Sequence, residues 1–158
     1  MSIESVKKYL SLYGKDKEIT VLKSSSATVN LAAAALNVIP ARIAKTLSFC
    51  KDDSCILVVT AGDTKIDNKK FKQIFGIKAK MLNADEVMEL TGHPVGGVCP
   101  FALKRDDIKT YCDTSLRRFD TIFPACGTPN SAIEMTCDEL FLVSKSEAWI
   151  DVCNIKET

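Results

Sequence analysis

The sequence predicts one domain of the α/β or α+β class, spanning residues 1–158, in which strands and short helices alternate. Its 158 residues are enough for a single hydrophobic core. Apolar residues make up 46% and charged residues 26%, the balance of an ordinary globular protein. Apolar runs of strand length are interleaved with capped segments of helical periodicity, without a linker, an internal repeat or a low-complexity segment.

Composition also narrows the class of function. The net charge is +1, so any contact with nucleic acid is expected to be local. No apolar run reaches the roughly 18 residues of a membrane-spanning helix. The stretch MSIESVKKYL lacks the apolar segment and cleavage site of a signal peptide. We therefore expect a cytoplasmic protein without a membrane partner.

Cysteine and histidine usage predicts neither a metal site nor a disulfide framework. The seven cysteines are an odd number, no two of them form a C-x-x-C pair, and the single histidine has no metal-ligand spacing. In a reducing compartment such cysteines are expected to be mostly small buried apolar residues. No cofactor is predicted.

The N-terminal part of the chain is predicted to form helix, strand, helix. Apolar side chains recur at helical spacing before Gly14, which can end that helix: Ile3, Val6, Leu10 and Tyr13. EITVLK then favours a short strand. Thr28 can cap a second helix, VNLAAAALN, and Pro40 suits the first turn of a very short third one.

The middle of the chain predicts a strand pair followed by two helices. KTLSFC and CILVVTA are strands around the polar turn KDDS. Asp67 can cap NKKFKQIF, which Gly76 ends. Asn83 and Glu86 form a capping box that opens ADEVMEL, which Gly92 ends.

The C-terminal third predicts mainly strands. IKTYCD, RFDTIFP and SAIEMT are strand-like, and AWIDVCNI favours the last strand. Between the last two, Thr136 and Glu139 form a second capping box, which opens the helix CDELFLV.

The stretch TGHPVGGVCPFAL, residues 91–103, is the first candidate site. Gly96 and Gly97 let the backbone approach a ligand closely, and Pro100 fixes the backbone φ angle where the chain leaves the loop. Backbone N–H groups in such a loop can bind a carbonyl or an oxyanion. A plain surface turn explains the same composition. The residues around His93 do not supply a nucleophile and an orienting partner for a general base. We therefore expect His93 to be a solvated loop histidine.

Three other positions can belong to a site or to the scaffold. Lys45 opens an apolar strand, where it is either a surface lysine or a cation with three donors projecting into a pocket. Asp113 and Ser115 follow a strand in YCDTSLRR, where a helix cap is the other explanation. Cys99 and Cys126 lie in candidate pocket loops, but no histidine pairing predicts a thiol nucleophile.

A lysine-rich run, KIDNKKFKQIFGIKAK, is either a solvated helix face or a local phosphate-contacting surface. No aromatic RNA-binding signature accompanies it. Its lysines are Lys65, Lys69, Lys70, Lys72, Lys78 and Lys80.

Taken in order, six stretches resemble the YbaK/prolyl-tRNA-synthetase-associated editing domain family. They are TVNLAAAAL, RIAKTLSF, VVTAGDTKID, TGHPVGGVCPFAL, CDTSL and ACGTPNSAIEMTCDEL, which together span roughly residues 18–143. The family pattern has a helix with paired alanines, an AKTL lysine, a GD turn, a TG…GGxxPFGL loop, a DxSL segment and a late glycine. Ala102 departs from the usual glycine of that loop.

The resemblance implies a mixed, strongly bent β-sheet with flanking short helices around a central crevice. It implies a free-standing trans-editing hydrolase that deacylates mischarged aminoacyl-tRNA. Alanyl and cysteinyl esters on proline tRNA are the candidate substrates. Because a missing methylene is worth only about 1–3 kcal/mol in binding, a second, hydrolytic sieve is needed for such amino acids. The implied partners are tRNA and prolyl-tRNA synthetase; the oligomeric state stays open.

The same resemblance implies a role for each site residue. Lys45 would hold a phosphate or the ribose of the terminal adenosine, Gly96 and Pro100 would place the ester carbonyl against backbone donors, and Asp113 would support the crevice or the attacking water. Substrate contacts are implied at Thr28, Thr46, Gly97, Val98, Cys99, Ser115 and Gly127. Since none of these side chains is a strong base and the ester is labile, we expect substrate-assisted hydrolysis by a positioned water or ribose hydroxyl.

Two functions of other classes stay open. A non-catalytic module would bind a tRNA end, a nucleotide or an amino acid, with the lysine-rich run supplying affinity. A thiol-based sensor would use Cys99 or Cys126, and it requires thiols that react at neutral pH.

Overall fold

The computed structural model describes residues 2–156, and that range contains five α-helices and ten strands. The helices are α1 (Ser2–Ser11), α2 (Val29–Leu36), α3 (Asn68–Phe75), α4 (Ala84–Thr91) and α5 (Cys137–Val143). The strands are β1 (Thr20–Val21), β2 (Ile43–Lys51), β3 (Ser54–Ala61), β4 (Thr64–Ile66), β5 (Lys109–Asp113), β6 (Thr121–Pro124), β7 (Ser131–Ala132), β8 (Met135–Thr136), β9 (Trp149–Ile150) and β10 (Cys153–Ile155). Short 3-10 helices span Asp16–Glu18, Pro40–Arg42 and Thr114–Arg118.

Six strands form one mixed sheet in the spatial order β8-β6-β2-β3-β5-β9. At its centre, β2 and β3 form an antiparallel hairpin. β6 runs parallel to β2, β5 parallel to β3 and β9 parallel to β5, whereas β8 is antiparallel to β6. The sheet is curled into a half-barrel, and two small antiparallel pairs, β1–β7 and β10–β4, stand beside it. The expected mixed, bent sheet with flanking helices is therefore confirmed.

The core lies on both faces of β3, whose side chains alternate between them. Val59 joins a buried cluster with apolar residues of α1 and α5, and Leu57 joins a second cluster with α4. Val58 packs in a third cluster with Phe71 of α3 on the opposite face. This burial of both faces explains why CILVVTA is apolar throughout rather than alternating. No helix within residues 2–156 is long and apolar enough to cross a bilayer.

The helix caps predicted from the sequence are confirmed. Asn83 accepts from the Glu86 backbone N–H at 2.8 Å, and Thr136 accepts from that of Glu139 at 3.1 Å; both capping boxes are complete. Thr28 and Asp67 cap α2 and α3, and glycines with left-handed backbone follow α3 and α4.

Several predicted strands are shorter or divided. EITVLK forms a strand only at β1, and RFDTIFP only from Thr121 onward. SAIEMT is split between β7 and β8, and AWIDVCNI between β9 and β10, because each half pairs with a different partner. Between β9 and β10 the Val152 N–H donates to the carboxylate of Asp113 at 2.9 Å instead of to a strand. The short strand β4 was not predicted.

Candidate functional site

A cavity of about 300 Å³ opens beside the edge of β2. Its walls come from five places in the chain: residues 26–36 around α2, residues 43–48 of β2, the segment 81–87, the loop 95–98 and residues 123–132. Most lining side chains are apolar. Lys45 is the only charged residue among the described residues that line it.

The cavity exists because β2 lacks a strand partner along part of one edge. Residues 43–44 pair with β6, and Phe49 bridges Met81 farther along. Within the described chain, residues 45–47 have β3 as their strand partner on one side and the cavity on the other. An edge of this kind presents peptide N–H and C=O groups to whatever occupies the space.

Thr46 directs its peptide groups toward this open edge. In an antiparallel pair, alternate residues direct their peptide groups to opposite sides. The C=O of Ser48 accepts from Leu82 N at 3.2 Å and Cys50 N donates to Lys80 O at 2.7 Å, so both face away from β3. Thr46 precedes Ser48 by two residues and therefore faces the same way, into the cavity.

The side chain of Thr46 adds a second unusual feature. Among the described side chains, its Oγ1 is the one buried nitrogen or oxygen atom without a hydrogen-bond partner. Buried hydroxyls in folded proteins are nearly always paired, so an orphaned one on a residue that lines a cavity is a candidate donor to a ligand. Thr28, across the cavity, uses its hydroxyl oxygen to accept from Leu31 N at 3.2 Å as the cap of α2.

Lys45 lines the cavity, but its ammonium already has one partner. Its Nζ donates to the Thr64 carbonyl at 2.5 Å, which leaves two N–H donors. The side chain is half-buried, and burial, followed by the nearby charge of Lys156, lowers the Lys45 pKa below its ordinary value. The position is therefore a desolvated cation rather than a free surface lysine.

Gly96 and Gly97 are each favoured as glycine for a different structural reason. Gly96 lines the cavity with a φ of 92°, a left-handed conformation that favours glycine. At Gly97, an added Cβ would lie 2.6 Å from Thr128 N and 2.8 Å from the carbonyl carbon of Gly127. The missing side chain of Gly97 thus admits the backbone of a neighbouring loop, and the Gly97 N–H donates to the Pro94 carbonyl at 3.0 Å.

The structure brings only some of the predicted site residues together at this cavity. They are Thr28, Lys45, Thr46, Gly96 and Val98. Gly97 and Gly127 lie just behind it, where their loops touch. Pro100 instead lines a separate cavity of about 240 Å³, together with residues such as Tyr9 and Ile108.

Asp113 and Ser115 lie at a buried junction of strands and not at the cavity. The Asp113 carboxylate accepts from the backbone N–H groups of Ser115 at 3.0 Å and Val152 at 2.9 Å. The Ser115 hydroxyl accepts from Ala61 N at 3.2 Å and contacts the Thr60 hydroxyl at 3.1 Å. These contacts match the helix-cap interpretation of the CDTSL segment.

The expectation of a solvated His93 is wrong, because the residue is fully buried. Its Nε2–H donates to the Phe101 carbonyl at 2.7 Å, and burial lowers its pKa. Cys99 and Cys126 are also fully buried, and burial raises the Cys99 pKa to about 12 and that of Cys126 further. Such thiols are poor nucleophiles, which argues against a thiol-based sensor at these positions.

Sequence reasoning missed most of the cavity wall. Met81 and Phe123 line it, yet neither lies in a stretch that carries a motif, and Ser131 lies in such a stretch without having been singled out. Among the described residues, no group of three potential metal ligands is assembled. The site is an apolar cavity with one cation, one orphaned hydroxyl and one exposed strand edge.

The curled mixed sheet with its helices matches the fold of a trans-editing protein. The chain belongs to the aminoacyl-tRNA editing domain family, whose sequence profile matches residues 23–141. The protein YwhH of Bacillus subtilis (strain 168), which has no characterised function, is 53% identical over 154 residues, covering 97% of this chain and 98% of that protein.

Two further similarities concern prolyl-tRNA synthesis. A proline–tRNA ligase of Lactobacillus gasseri is 35% identical over 86 residues, 53% of this chain but 15% of the ligase. A solved structure described as a proposed trans-editing enzyme for prolyl-tRNA synthetase superposes with a TM-score of 0.86 at 26% identity, covering 99% of this chain and 98% of that one.

Proposed function

We propose that this chain is a trans-editing hydrolase that releases a small amino acid from mischarged tRNA, with alanyl and cysteinyl esters on proline tRNA as its substrates. The observation that carries the proposal is the orphaned hydroxyl of Thr46, a residue that lines, together with Lys45, a mostly apolar cavity. Family membership and the similarity to a segment of proline–tRNA ligase support the substrate class.

The apolar part of the cavity suits the side chain of a small amino acid. Ala32, Leu36 and Phe123 contribute to its lining, and no carboxylate among the described residues lines it. A methyl or thiol group would be desolvated there without losing a hydrogen-bond partner. A hydroxyl is only moderately disfavoured in such a pocket, by about 100-fold at most, so seryl esters are expected to be cleaved more slowly rather than excluded.

The polar edge suits the ester. Thr46 offers its Oγ1–H and its backbone N–H to the carbonyl oxygen, which becomes more negative as the tetrahedral intermediate forms. Lys45, through its two remaining N–H donors, holds a phosphate or the ribose of the terminal nucleotide. Donors fixed before the reaction stabilise the developing charge without reorganisation.

Hydrolysis then needs one water and no protein base. The water oxygen bonds to the ester carbon, the bond from that carbon to the ribose oxygen breaks, and the ribose oxygen receives a proton. Since no described residue that lines the cavity is a histidine or a carboxylate, the neighbouring ribose hydroxyl relays the proton from the water to the leaving oxygen. Positioning of a labile ester can supply much of the rate acceleration.

The test is a deacylation panel with the purified protein. Proline tRNA charged with alanine, cysteine, serine or proline is incubated with the wild-type protein, with Lys45→Ala, and with Lys8→Ala as a matched control on an exposed lysine. We expect release from the alanyl and cysteinyl esters, roughly tenfold to 100-fold slower release with Lys45→Ala, and no change with the control. Release no faster than the spontaneous rate from all four esters would refute the proposal, and salt-dependent tRNA binding alone would identify a binding module.

A further inference from the structure

A second lysine lies beside the peptide that anchors Lys45. The pairing of β10 with β4 sets Ile155 opposite Thr64, and the Lys156 N–H donates to the Asp63 carbonyl at 2.7 Å. Thr64, the next residue, supplies the carbonyl that accepts from Lys45 Nζ. Lys156 is exposed and lies outside residues 23–141, so the family match assigns it no role.

The Asp63 carboxylate, whose charge acts on Lys45, forms its ion pair with Arg118. Arg118 donates to both carboxylate oxygens of Asp63, at 3.0 and 2.6 Å, and this pairing holds the Asp63 pKa below its ordinary value. Among the described residues, neither Lys45 nor Lys156 forms an ion pair with a carboxylate. The Asp63–Thr64 segment therefore accepts from the Lys45 ammonium and from the Lys156 backbone N–H, and the carboxylate beside it is paired with Arg118.

We propose that Lys45 and Lys156 together bind one phosphate group, a phosphodiester of the tRNA acceptor end next to the nucleotide that carries the ester. The inference rests on the proposed function for the identity of the ligand. Two neighbouring ammonium groups repel each other, and an anion between them turns that repulsion into attraction. The depressed pKa of Lys45, to which the charge of Lys156 contributes, agrees with this proximity.

The chemistry alone fits a phosphodiester or the phosphate of a free nucleotide. A phosphodiester is favoured because Lys45 also lines the cavity proposed for the ester, so that one side chain would touch both ends of the terminal nucleotide. Lys156, at the outer side of Lys45, would then contact the strand as it leaves the cavity.

The experiment measures binding of uncharged proline tRNA by fluorescence anisotropy at salt concentrations from about 50 to about 200 mM. Lys156→Ala is compared with the wild type, with Lys156→Arg, which keeps the charge, and with Lys8→Ala, a matched loss of one exposed charge on α1, across the sheet. We expect Lys156→Ala to weaken binding roughly threefold to tenfold at the lowest salt and to reduce the slope of log K against log salt by about 0.7. The Arg variant should keep the wild-type slope, and Lys8→Ala should not alter it.

The outcomes separate this inference from the proposed function. An unchanged salt slope in Lys156→Ala, alongside normal deacylation, would overturn the phosphate site and leave the hydrolase in place. A reduced slope without deacylation of any ester would keep the phosphate site and remove the hydrolase. Adenosine monophosphate that competes with tRNA at equal concentration would show that a free nucleotide is the ligand and overturn the assignment to a phosphodiester.

Discussion

Replacement of Thr46 by valine should make the protein more stable and less active. Valine keeps the branched shape of threonine and removes Oγ1, the buried oxygen without a partner. An unsatisfied buried hydroxyl costs roughly 1–2 kcal/mol, so the variant should gain about 1 kcal/mol in free energy of unfolding. For a domain of this length, that gain raises Tm by about 2–4 °C.

The activity should change in the opposite direction. If Thr46 donates to the ester carbonyl, the variant loses a hydrogen bond that strengthens in the transition state, and kcat/KM for alanyl-tRNA should fall roughly tenfold to 100-fold. The assays are thermal unfolding followed by circular dichroism and single-turnover deacylation on the same preparation.

Thr60→Val is the matched control on the adjacent strand. Thr60 is the same residue type and is fully buried. Its hydroxyl, however, contacts the hydroxyl groups of Thr64 at 2.7 Å and Ser115 at 3.1 Å. Its replacement should lower the free energy of unfolding by about 1–3 kcal/mol. If Thr46→Val lowers stability as Thr60→Val does, Oγ1 has a partner within the protein; if its kcat/KM is unchanged, the hydroxyl does not touch the reacting ester.

Three further predictions concern the loops and thiols. Ala102 has a φ of 53°, so Ala102→Gly should raise the free energy of unfolding in urea by up to about 1 kcal/mol; a clear loss would show that this conformation carries no strain. Gly97→Ala should lower it by about 2–3 kcal/mol because its Cβ would meet the Thr128 backbone, whereas Gly14→Ala, with open space around it, should cost only about 1 kcal/mol; equal losses would contradict the contact. Cys99, fully buried and with its pKa raised to about 12, should resist alkylation at neutral pH until denaturant is added, and rapid modification of the folded protein would contradict its burial.

The local structure of this protein was largely predictable from short stretches of sequence. Both capping boxes and the glycines that end α3 and α4 depend on residues within one or two helical turns, so their hydrogen bonds follow from spacing alone. The strand pair β2–β3 was predictable for the same reason, since its two apolar runs flank a short polar turn.

Pairing between distant segments was not predictable in this way. SAIEMT and AWIDVCNI each have strand character along their whole length, yet each is divided because its halves meet different partners. His93 was expected in solvent because it lies in a loop, and the fold buries it against Phe101. Strand propensity describes what a segment can do, whereas its neighbours decide where it pairs.

For the candidate site, too, some features follow from the sequence and others only from the tertiary structure. The motifs of the sequence by themselves determined the family and the alternation of helices and strands, and they made Lys45 and the loop at Gly96 candidates for the site, because these are properties of residue type and order. Only the tertiary structure decided that the Thr46 hydroxyl is unpaired, that Asp113 holds a buried junction, and that Lys156 lies at Asp63, next to the residue that anchors Lys45. Hydrogen-bond satisfaction, burial and the proximity of charges depend on which distant segments the fold brings into contact, and no local pattern contains that information.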